Sequence, residues 1–206
     1  MCGICGKLNL DGLEPVDPTL LRRMADLLRH RGPDGSGEYR DGPVGLGHRR
    51  LSIIDLDTGA QPMSNEDGTI WVVYNGEIYN FRELRMDLEK RGHRFKSAAD
   101  TEVIVHLYEE MGDRCVTKLQ GMFAFALWDS RNQRLLLARD RVGVKPLYFA
   151  NTGKALVFAS ELKSLLADPE VGRRVNPRAL DRFLTYYFLP GSDTLLEGIF
   201  KLKPGH

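Results

Sequence analysis

Alternating apolar and polar positions, together with short runs of aromatic and β-branched residues, predict β-strands along most of the chain. The predicted strands lie at 4–10, 44–49, 70–74, 122–129, 134–139, 147–150 and 155–159. The clearest are I-W-V-V-Y at 70–74 and M-F-A-F-A-L-W-D at 122–129. The last four strands form two adjacent pairs joined by turn residues, which indicates hairpins and antiparallel sheets instead of a parallel core.

Apolar residues at helical spacing predict helices between these strands. One apolar stripe follows Pro18 and consists of Leu20, Leu21, Met24, Leu27 and Leu28. Further helices are predicted at 81–91, 101–111, 160–167 and 176–188, with Asp100, Ser160 and Asn176 as candidate N-terminal residues and Gly92 as a stop. Helices in both halves can cover two stacked sheets, so the pattern predicts a layered α+β domain.

Glycine and proline set one segment apart from the rest. Residues 31–47 hold six glycines and two prolines, so apart from the strand starting at residue 44 this stretch is expected to be loop or tight turn. Neither an internal repeat nor a low-complexity segment is evident in the sequence.

Composition narrows the class of protein. The chain has 206 residues, of which 42% are hydrophobic and 28% charged, as in an ordinary soluble globular domain. A net charge of +1 gives no electrostatic reason to expect nucleic acid as a partner. No apolar run approaches the roughly 18 residues of a membrane-spanning helix, so no membrane partner is expected either. Three cysteines make a poor disulfide framework, and a reducing, cytoplasmic setting is expected.

The residue best suited to catalysis is Cys2, which lies between the initiator Met1 and Gly3. Because initiator methionine is normally removed before a small residue, Cys2 can become the N-terminus. It would then carry a thiol nucleophile and a free α-amine on one Cα, and the amine can serve as the base for the thiol. The alternative is an ordinary cysteine at a frayed terminus.

Three other sites allow more than one interpretation. Asn75 and Gly76 follow a predicted strand and could donate hydrogen bonds to an oxyanion, but Asn-Gly is also the commonest two-residue hairpin turn. Arg50 offers a planar fork for a carboxylate, although a structural ion pair explains a single arginine equally well. Asp100 could hold a substrate ammonium group or cap the helix that follows it.

The C-x-x-C spacing of Cys2 and Cys5 raises two further alternatives, redox exchange and metal binding. A redox motif is expected between a strand and a helix, whereas this one begins a strand. A structural zinc site needs a second pair of ligands, and the five histidines are scattered along the sequence. The sequence therefore predicts no metal ligands.

Taken in order, the motifs resemble the N-terminal glutaminase domain of glutamine-dependent asparagine synthetases, which are class II amidotransferases with an N-terminal nucleophile. The matching motifs are M-C-G-I at 1–4, R-G-P-D at 31–34, H-R-R-L-S-I at 48–53, N-G-E-I-Y-N at 75–80, D-T-E at 100–102, G-M-F-A-F-A-L-W-D at 121–129, R-D-R-V-G-V-K-P-L-Y at 139–148, F-A-S-E-L-K-S-L at 158–165 and K-L-K-P-G-H at 201–206. The resemblance implies an N-terminal nucleophile hydrolase fold, a four-layer sandwich of two antiparallel sheets between helical layers.

The resemblance also implies a role for each candidate residue. Cys2 would attack the side-chain amide of glutamine with its α-amine as the base, and a γ-glutamyl thioester would then be hydrolysed to glutamate. The side chain of Asn75 and the backbone N–H of Gly76 would stabilise the oxyanion.

At the other end of the substrate, Arg50 would bind the α-carboxylate of glutamine. Glu77 and Asp100 would hold its α-ammonium group. Backbone groups of Leu51 and Ile53 would line the same pocket.

The same resemblance sets expectations for domains and partners. Residues 2–190 are assigned to the glutaminase domain, and 191–206 to the start of a connection to a synthetase domain that this sequence lacks. That domain would use ATP and Mg²⁺ to make asparagine, so no cofactor is expected in this chain. The expected partners are L-glutamine, the synthetase domain and a second copy in a homodimer. Two alternatives stay open, an amidotransferase acting on a different carboxylate acceptor and a glutamine-binding module that is inactive in isolation.

Overall fold

A computed structural model describes residues 1–12, 14–52 and 59–206 and shows an α+β fold with two antiparallel sheets. The first sheet has the strand order β10-β8-β9-β1-β3-β2. Its strands are β1 (Gly3–Asn9), β2 (Gly35–Asp41), β3 (Val44–Arg50), β8 (Tyr148–Asn151), β9 (Ala155–Ala159) and β10 (Ile199–Lys201). The predicted hairpin at 147–150 and 155–159 is confirmed, because β8 pairs with β9 in antiparallel register.

The second sheet has the strand order β4-β5-β6-β7. Its strands are β4 (Met63–Ser64), β5 (Ile70–Ile78), β6 (Gly121–Asp129) and β7 (Arg134–Arg139). The helices are α1 (Pro18–Asp26), α2 (Phe81–Lys90), α3 (Glu102–Met111), α4 (Leu162–Leu165) and α5 (Pro177–Tyr186), with a 3₁₀-helix at Gly112–Thr117. In the part of the chain that the structure describes, none of these helices has the length and apolar character needed to cross a membrane.

Three apolar clusters separate four layers. Side chains alternate across each strand, so Ile4 of β1 packs between the two sheets while Cys5 packs against the helices outside the first sheet. In β6, Ala126 faces the first sheet and Phe125 faces the helical layer formed by α2 and α3. Met24 of α1 closes the opposite side of the first sheet. The predicted sandwich of two antiparallel sheets between helical layers is confirmed.

The prediction of loop or tight turn across residues 31–47 is wrong for most of that segment, which forms β2 and β3. Several of the glycines serve close packing of these strands, whereas Gly42, with φ +50°, lies in the turn between them. A Cβ atom on Gly37 would lie 2.0 Å from the carbonyl oxygen of Gln61, and one on Gly47 would lie 2.8 Å from the thiol sulfur of Cys5. Composition alone predicts turns here because it does not reveal which strand interiors need room for a neighbour.

The alternative interpretation of Asn75 and Gly76, a two-residue hairpin turn, is wrong. Asn75 and Gly76 lie within β5, opposite Ala124 and Phe123 of β6. The strand predicted at 70–74 therefore continues to Ile78, and the two residues are presented from a sheet.

Of the helix starts predicted from the sequence, one is confirmed and two are wrong. The side chain of Asn176 accepts a hydrogen bond from the N–H of Ala179 at the start of α5. By contrast, α3 starts after Thr101 and not after Asp100. Ser160 does not cap α4, because its hydroxyl accepts a hydrogen bond from the N–H of Ile4 in β1.

The last residues add an outer strand to the first sheet. β10 pairs with β8 in antiparallel register, and the N–H of Arg139 donates to the carbonyl oxygen of His206 at 2.7 Å. The boundary proposed at residue 190 stays a prediction.

Candidate active site

Cys2 lies immediately before β1 and faces the end of β3. Its Sγ is 3.4 Å from the N–H of Leu51 and 3.7 Å from the carbonyl oxygen of Leu51. Its own carbonyl oxygen accepts a hydrogen bond from Nε of Arg31 at 3.0 Å. Both contacts come from residues far along the sequence, so the position of the thiol depends on the tertiary fold.

The R-G-P-D segment at 31–34 connects the Cys2 strand to the chain that leaves β3. Besides the contact of Arg31 with Cys2, Asp34 accepts a hydrogen bond from the N–H of Ser52 through Oδ2 at 2.8 Å. The N–H of Asp34 donates to the carbonyl oxygen of Arg50 at 3.0 Å. The segment thus links the backbone of Cys2 to the backbone of Arg50 and Ser52, a role that the sequence motif alone did not reveal.

One edge of β5 presents backbone donors to the site. The N–H of Tyr74 donates to Oε1 of Gln61 at 2.7 Å, and the N–H of Ile78 donates to Oδ2 of Asp100 at 2.9 Å. N–H groups two residues apart in a strand point to the same side, so the N–H of Gly76 points to this edge between the other two. The sheet itself therefore orients the predicted oxyanion donor.

The side-chain amide of Asn75 is a buried donor without an acceptor. Asn75 is 1% exposed, and within the described residues its Nδ2 has no hydrogen-bond partner. Leaving such a group unsatisfied costs about 1–3 kcal/mol, which is unusual in a folded protein. The amide nitrogen therefore keeps a hydrogen-bonding capacity that the described residues do not use.

Asp100 lies against this same edge of β5 and is also buried. Its Oδ2 accepts hydrogen bonds from the hydroxyl of Tyr74 at 2.7 Å and from the N–H of Ile78. Burial raises the pKa of Asp100 above its usual value, and these two hydrogen bonds act against that rise. Its carboxylate is thereby fixed to β5.

These features converge on one cavity of about 100 Å³. All predicted site residues that the structure describes line it, namely Cys2, Arg50, Leu51, Asn75, Gly76, Glu77 and Asp100. Ile53, the remaining predicted residue, lies outside the described residues. The cavity therefore combines a thiol, a guanidinium, two carboxylates and an unpaired amide donor.

Sequence reasoning missed several lining residues. Gln61 joins two parts of the cavity wall. It accepts a hydrogen bond from the N–H of Tyr74 and donates one to the hydroxyl of Thr101 at 3.2 Å. Lys145 adds a second cationic side chain and is 7% exposed. No local sequence signal identifies Gln61, whereas Lys145 lies within the R-D-R-V-G-V-K-P-L-Y motif. Among the described lining residues there is no histidine that could act as a base.

The redox and metal interpretations of Cys2 and Cys5 are not supported. Cys5 is fully buried on the opposite face of β1 from Ile4, in the cluster that contains Leu21. Burial raises the pKa of the Cys5 thiol to about 12, which disfavours the reactive thiolate. Only Cys2 of the pair faces the cavity.

Comparison with known proteins identifies a family for the chain. Residues 1–206 match the family described as glutamine amidotransferase domain. Asparagine synthetase [glutamine-hydrolyzing] 1 of Bacillus subtilis is 41% identical over 208 residues, covering all of this chain and 33% of that protein. Asparagine synthetase [glutamine-hydrolyzing] 2 of the same organism is 47% identical over 178 residues, covering 85% of this chain and 24% of the relative. The chain thus spans a third or less of these relatives.

The fold is also found among solved structures. Glutamine phosphoribosylpyrophosphate amidotransferase from Bacillus subtilis superposes with a TM-score of 0.66 over 81% of this chain and 43% of that one, at 24% identity. At this identity the likeness supports the fold alone. The sequence match over its whole length shows that the chain belongs to the glutamine amidotransferase domain family.

Proposed function

We propose that this chain hydrolyses L-glutamine to glutamate and ammonia, with Cys2 as the nucleophile. The observation that carries the proposal is the buried, unpaired amide of Asn75, which shares one cavity with the Cys2 thiol. A preorganised donor without an acceptor is what an oxyanion hole requires. The N–H of Gly76, directed to the same edge of β5, would be the second donor.

The rest of the cavity suits the zwitterionic end of glutamine. Arg50 would pair with the α-carboxylate, since a guanidinium can bind a carboxylate with two parallel hydrogen bonds. Glu77 and Asp100 would hold the α-ammonium group, and Asp100 is already fixed by Tyr74 and Ile78. Backbone groups of Leu51 and of Ile53 would complete the pocket.

The base would be the α-amine of Cys2, which becomes available when Met1 is removed. This amine would take the thiol proton as sulfur attacks the amide carbon, and negative charge would develop on the amide oxygen. Collapse of the tetrahedral intermediate would break the C–N bond, with the leaving nitrogen protonated by the same amine. Water, deprotonated by the amine, would then cleave the thioester, releasing glutamate and restoring the thiol.

The destination of the ammonia follows from the relatives. We propose that it serves ATP-dependent asparagine synthesis by a further part of a longer protein, because the relatives that this chain matches carry that activity in their names. ATP and Mg²⁺ would be needed there, whereas the hydrolysis proposed here uses only side chains and backbone groups. The homodimer and the cytoplasmic location stay predictions.

Replacing Cys2 with alanine tests the proposal. We expect Cys2→Ala to abolish glutamate release and labelling by a glutamine-mimicking electrophile, while Cys5→Ser retains activity if the core tolerates it. Intact mass would first establish that Met1 has been removed. Glutamate release that persists in Cys2→Ala would contradict the proposal. If the parent chain, with Cys2 intact, bound glutamine but released no glutamate, the alternative of an inactive glutamine-binding module would be favoured.

A further inference from the structure

A cluster of two histidine and two glutamate side chains lies outside the cavity, around α3. His106 and Glu109 belong to α3, His93 follows α2, and Glu66 lies between β4 and β5. One potential ligand atom from each of the four lies within 4.8 Å of all the others. None of these residues lines the proposed glutamine cavity.

Three of the distances between these side chains fit a small tetrahedral metal site. Nδ1 of His106 lies 3.4 Å from Oε2 of Glu66 and 3.2 Å from Oε2 of Glu109. Nδ1 of His93 lies 3.5 Å from the same Oε2 of Glu109. Ligands about 2.0–2.1 Å from a tetrahedral Zn²⁺ are separated from one another by roughly 3.3–3.5 Å. These three distances lie in or next to that range.

Both histidines present Nδ1 to the centre and direct Nε2 towards an outer carboxylate. Nε2 of His93 lies 3.0 Å from Oε1 of Glu110, and Nε2 of His106 lies 3.7 Å from Oε1 of Glu102. A metal-binding histidine almost always donates its other ring N–H to a carboxylate, carbonyl or water. Nε2 of His106 is buried and has no hydrogen-bond partner within the described residues, so a small approach to Glu102 would satisfy it.

The carboxylates of Glu66 and Glu109 each use one oxygen for a hydrogen bond outside the cluster and turn the other towards it. Oε1 of Glu66 accepts a hydrogen bond from the N–H of Arg94 at 2.9 Å, and Oε1 of Glu109 accepts one from Nδ2 of Asn65 at 2.8 Å. In each case the other oxygen, Oε2, faces His106. One proton on Nδ1 of His106 can serve only one of these oxygens, whereas a divalent cation can bind all four ligands.

We propose that Glu66, His93, His106 and Glu109 bind one Zn²⁺ ion. Imidazole nitrogen and carboxylate oxygen are both established ligands of Zn²⁺, and four protein ligands are typical of a structural site. The ion would join α3, the segment after α2 and the β4–β5 connection. α3 begins two residues after Asp100, so the metal would also stabilise the element next to the glutamine cavity.

Zinc titration of the full chain by calorimetry tests the proposal. The Cys2→Ala variant is the appropriate background, because it removes an accessible thiol that would compete for zinc. We expect one saturable Zn²⁺ site per chain, no competition by Mg²⁺, and a tetrahedral visible spectrum when Co²⁺ replaces Zn²⁺. An absence of saturable binding, or a Co²⁺ spectrum of a hydrated octahedral ion, would overturn the proposal.

Variants locate the site. We expect His93→Gln and Glu109→Gln each to weaken Zn²⁺ binding by at least tenfold, and Glu110→Gln by about tenfold through its contact with His93. His93 and Glu109 are partly exposed, and circular dichroism would verify that the variants fold. His30→Gln is the control, since His30 is also paired with a carboxylate, Glu161, but lies elsewhere. An affinity unchanged in His93→Gln, or lost equally in the control, would exclude this site.

Discussion

At the scale of single residues, Asn75 illustrates how a site can be prepared at the expense of stability. Its side chain is buried, yet Nδ2 has no acceptor within the described residues. The backbone of the same residue pairs normally with Ala124 of β6, which holds the side chain in place. Folding therefore leaves one donor unsatisfied, at a cost of about 1–3 kcal/mol, and an oxyanion would satisfy it.

Asn75→Ala is expected to separate activity from stability. Loss of one oxyanion donor should lower kcat for glutamine hydrolysis by about 10²–10³-fold. The free energy of unfolding should stay the same or rise, because the alanine removes a buried donor whose lack of a partner costs about 1–3 kcal/mol. Steady-state kinetics and urea denaturation measure the two effects.

Asn80→Ala provides the opposite control for that experiment. Asn80 donates to the carbonyl oxygen of Lys118 and accepts from the N–H of Gln120, and it does not line the cavity. Its replacement should cost about 1–2 kcal/mol of stability and leave kcat nearly unchanged. If Asn75→Ala retained activity within a few-fold of the parent chain, the amide would not be an oxyanion donor.

The sequence predicted the residues with reactive or charged groups better than the residues that hold them in position. Cys2, Arg50 and Asp100 were selected for their functional groups and Glu77 through the family resemblance, and all four line one cavity. Gln61 was missed because its contact with the N–H of Tyr74 joins segments that no local pattern relates.

At the scale of elements, strand β2 shows how backbone packing positions the site. A Cβ atom on Gly37 would lie 2.0 Å from the carbonyl oxygen of Gln61. The backbone at Gln61 can therefore approach β2 this closely only because residue 37 has no side chain. Gln61 in turn accepts from the N–H of Tyr74 in the cavity wall. From composition alone such a glycine predicts a loop, whereas here the glycine is required by packing against a segment 24 residues away in the sequence.

Gly37→Ala should therefore displace Gln61 and destabilise the fold by about 1–3 kcal/mol, the usual cost of overpacking. Because Gln61 lines the cavity, KM for glutamine should rise as well. Gly35→Ala is the matched control in the same strand, since its Cβ would lie 3.7 Å from Cβ of Arg50, an ordinary contact. Thermal denaturation and kinetics of both variants provide the comparison, and equal effects in the two would refute the packing argument.

At the scale of the whole molecule, the two sheets are joined by polar and aromatic contacts as well as by the apolar layer between them. Nε2 of His48 in β3 lies 3.2 Å from the carbonyl oxygen of Tyr74 in β5. Nε1 of Trp128 donates to Oδ2 of Asp41 at 3.1 Å, and the ring of Tyr39 stacks on Trp71 with centroids 4.1 Å apart. The contact of His48 makes the stability of the sandwich depend on pH in the acidic range.

Burial lowers the pKa of His48 from 6.5 to about 4, the hydrogen bond to Tyr74 opposes this shift, and Arg50 adds to it. Between these two values the unfolded chain binds a proton that the folded chain does not, so the free energy of unfolding falls as pH falls from about 6.5 to 4. Below pH 4 this group contributes no further change.

From pH 7 to pH 4.5 the loss attributable to His48 should be about 2 kcal/mol. His48→Gln keeps a donor for the Tyr74 carbonyl but cannot titrate, so its loss of stability over this interval should be smaller by that amount. His206→Gln, at an exposed position, should behave like the parent chain. Urea denaturation at both pH values measures the difference, and equal pH dependence in the His48→Gln and parent chains would show that His48 does not link the sandwich to pH.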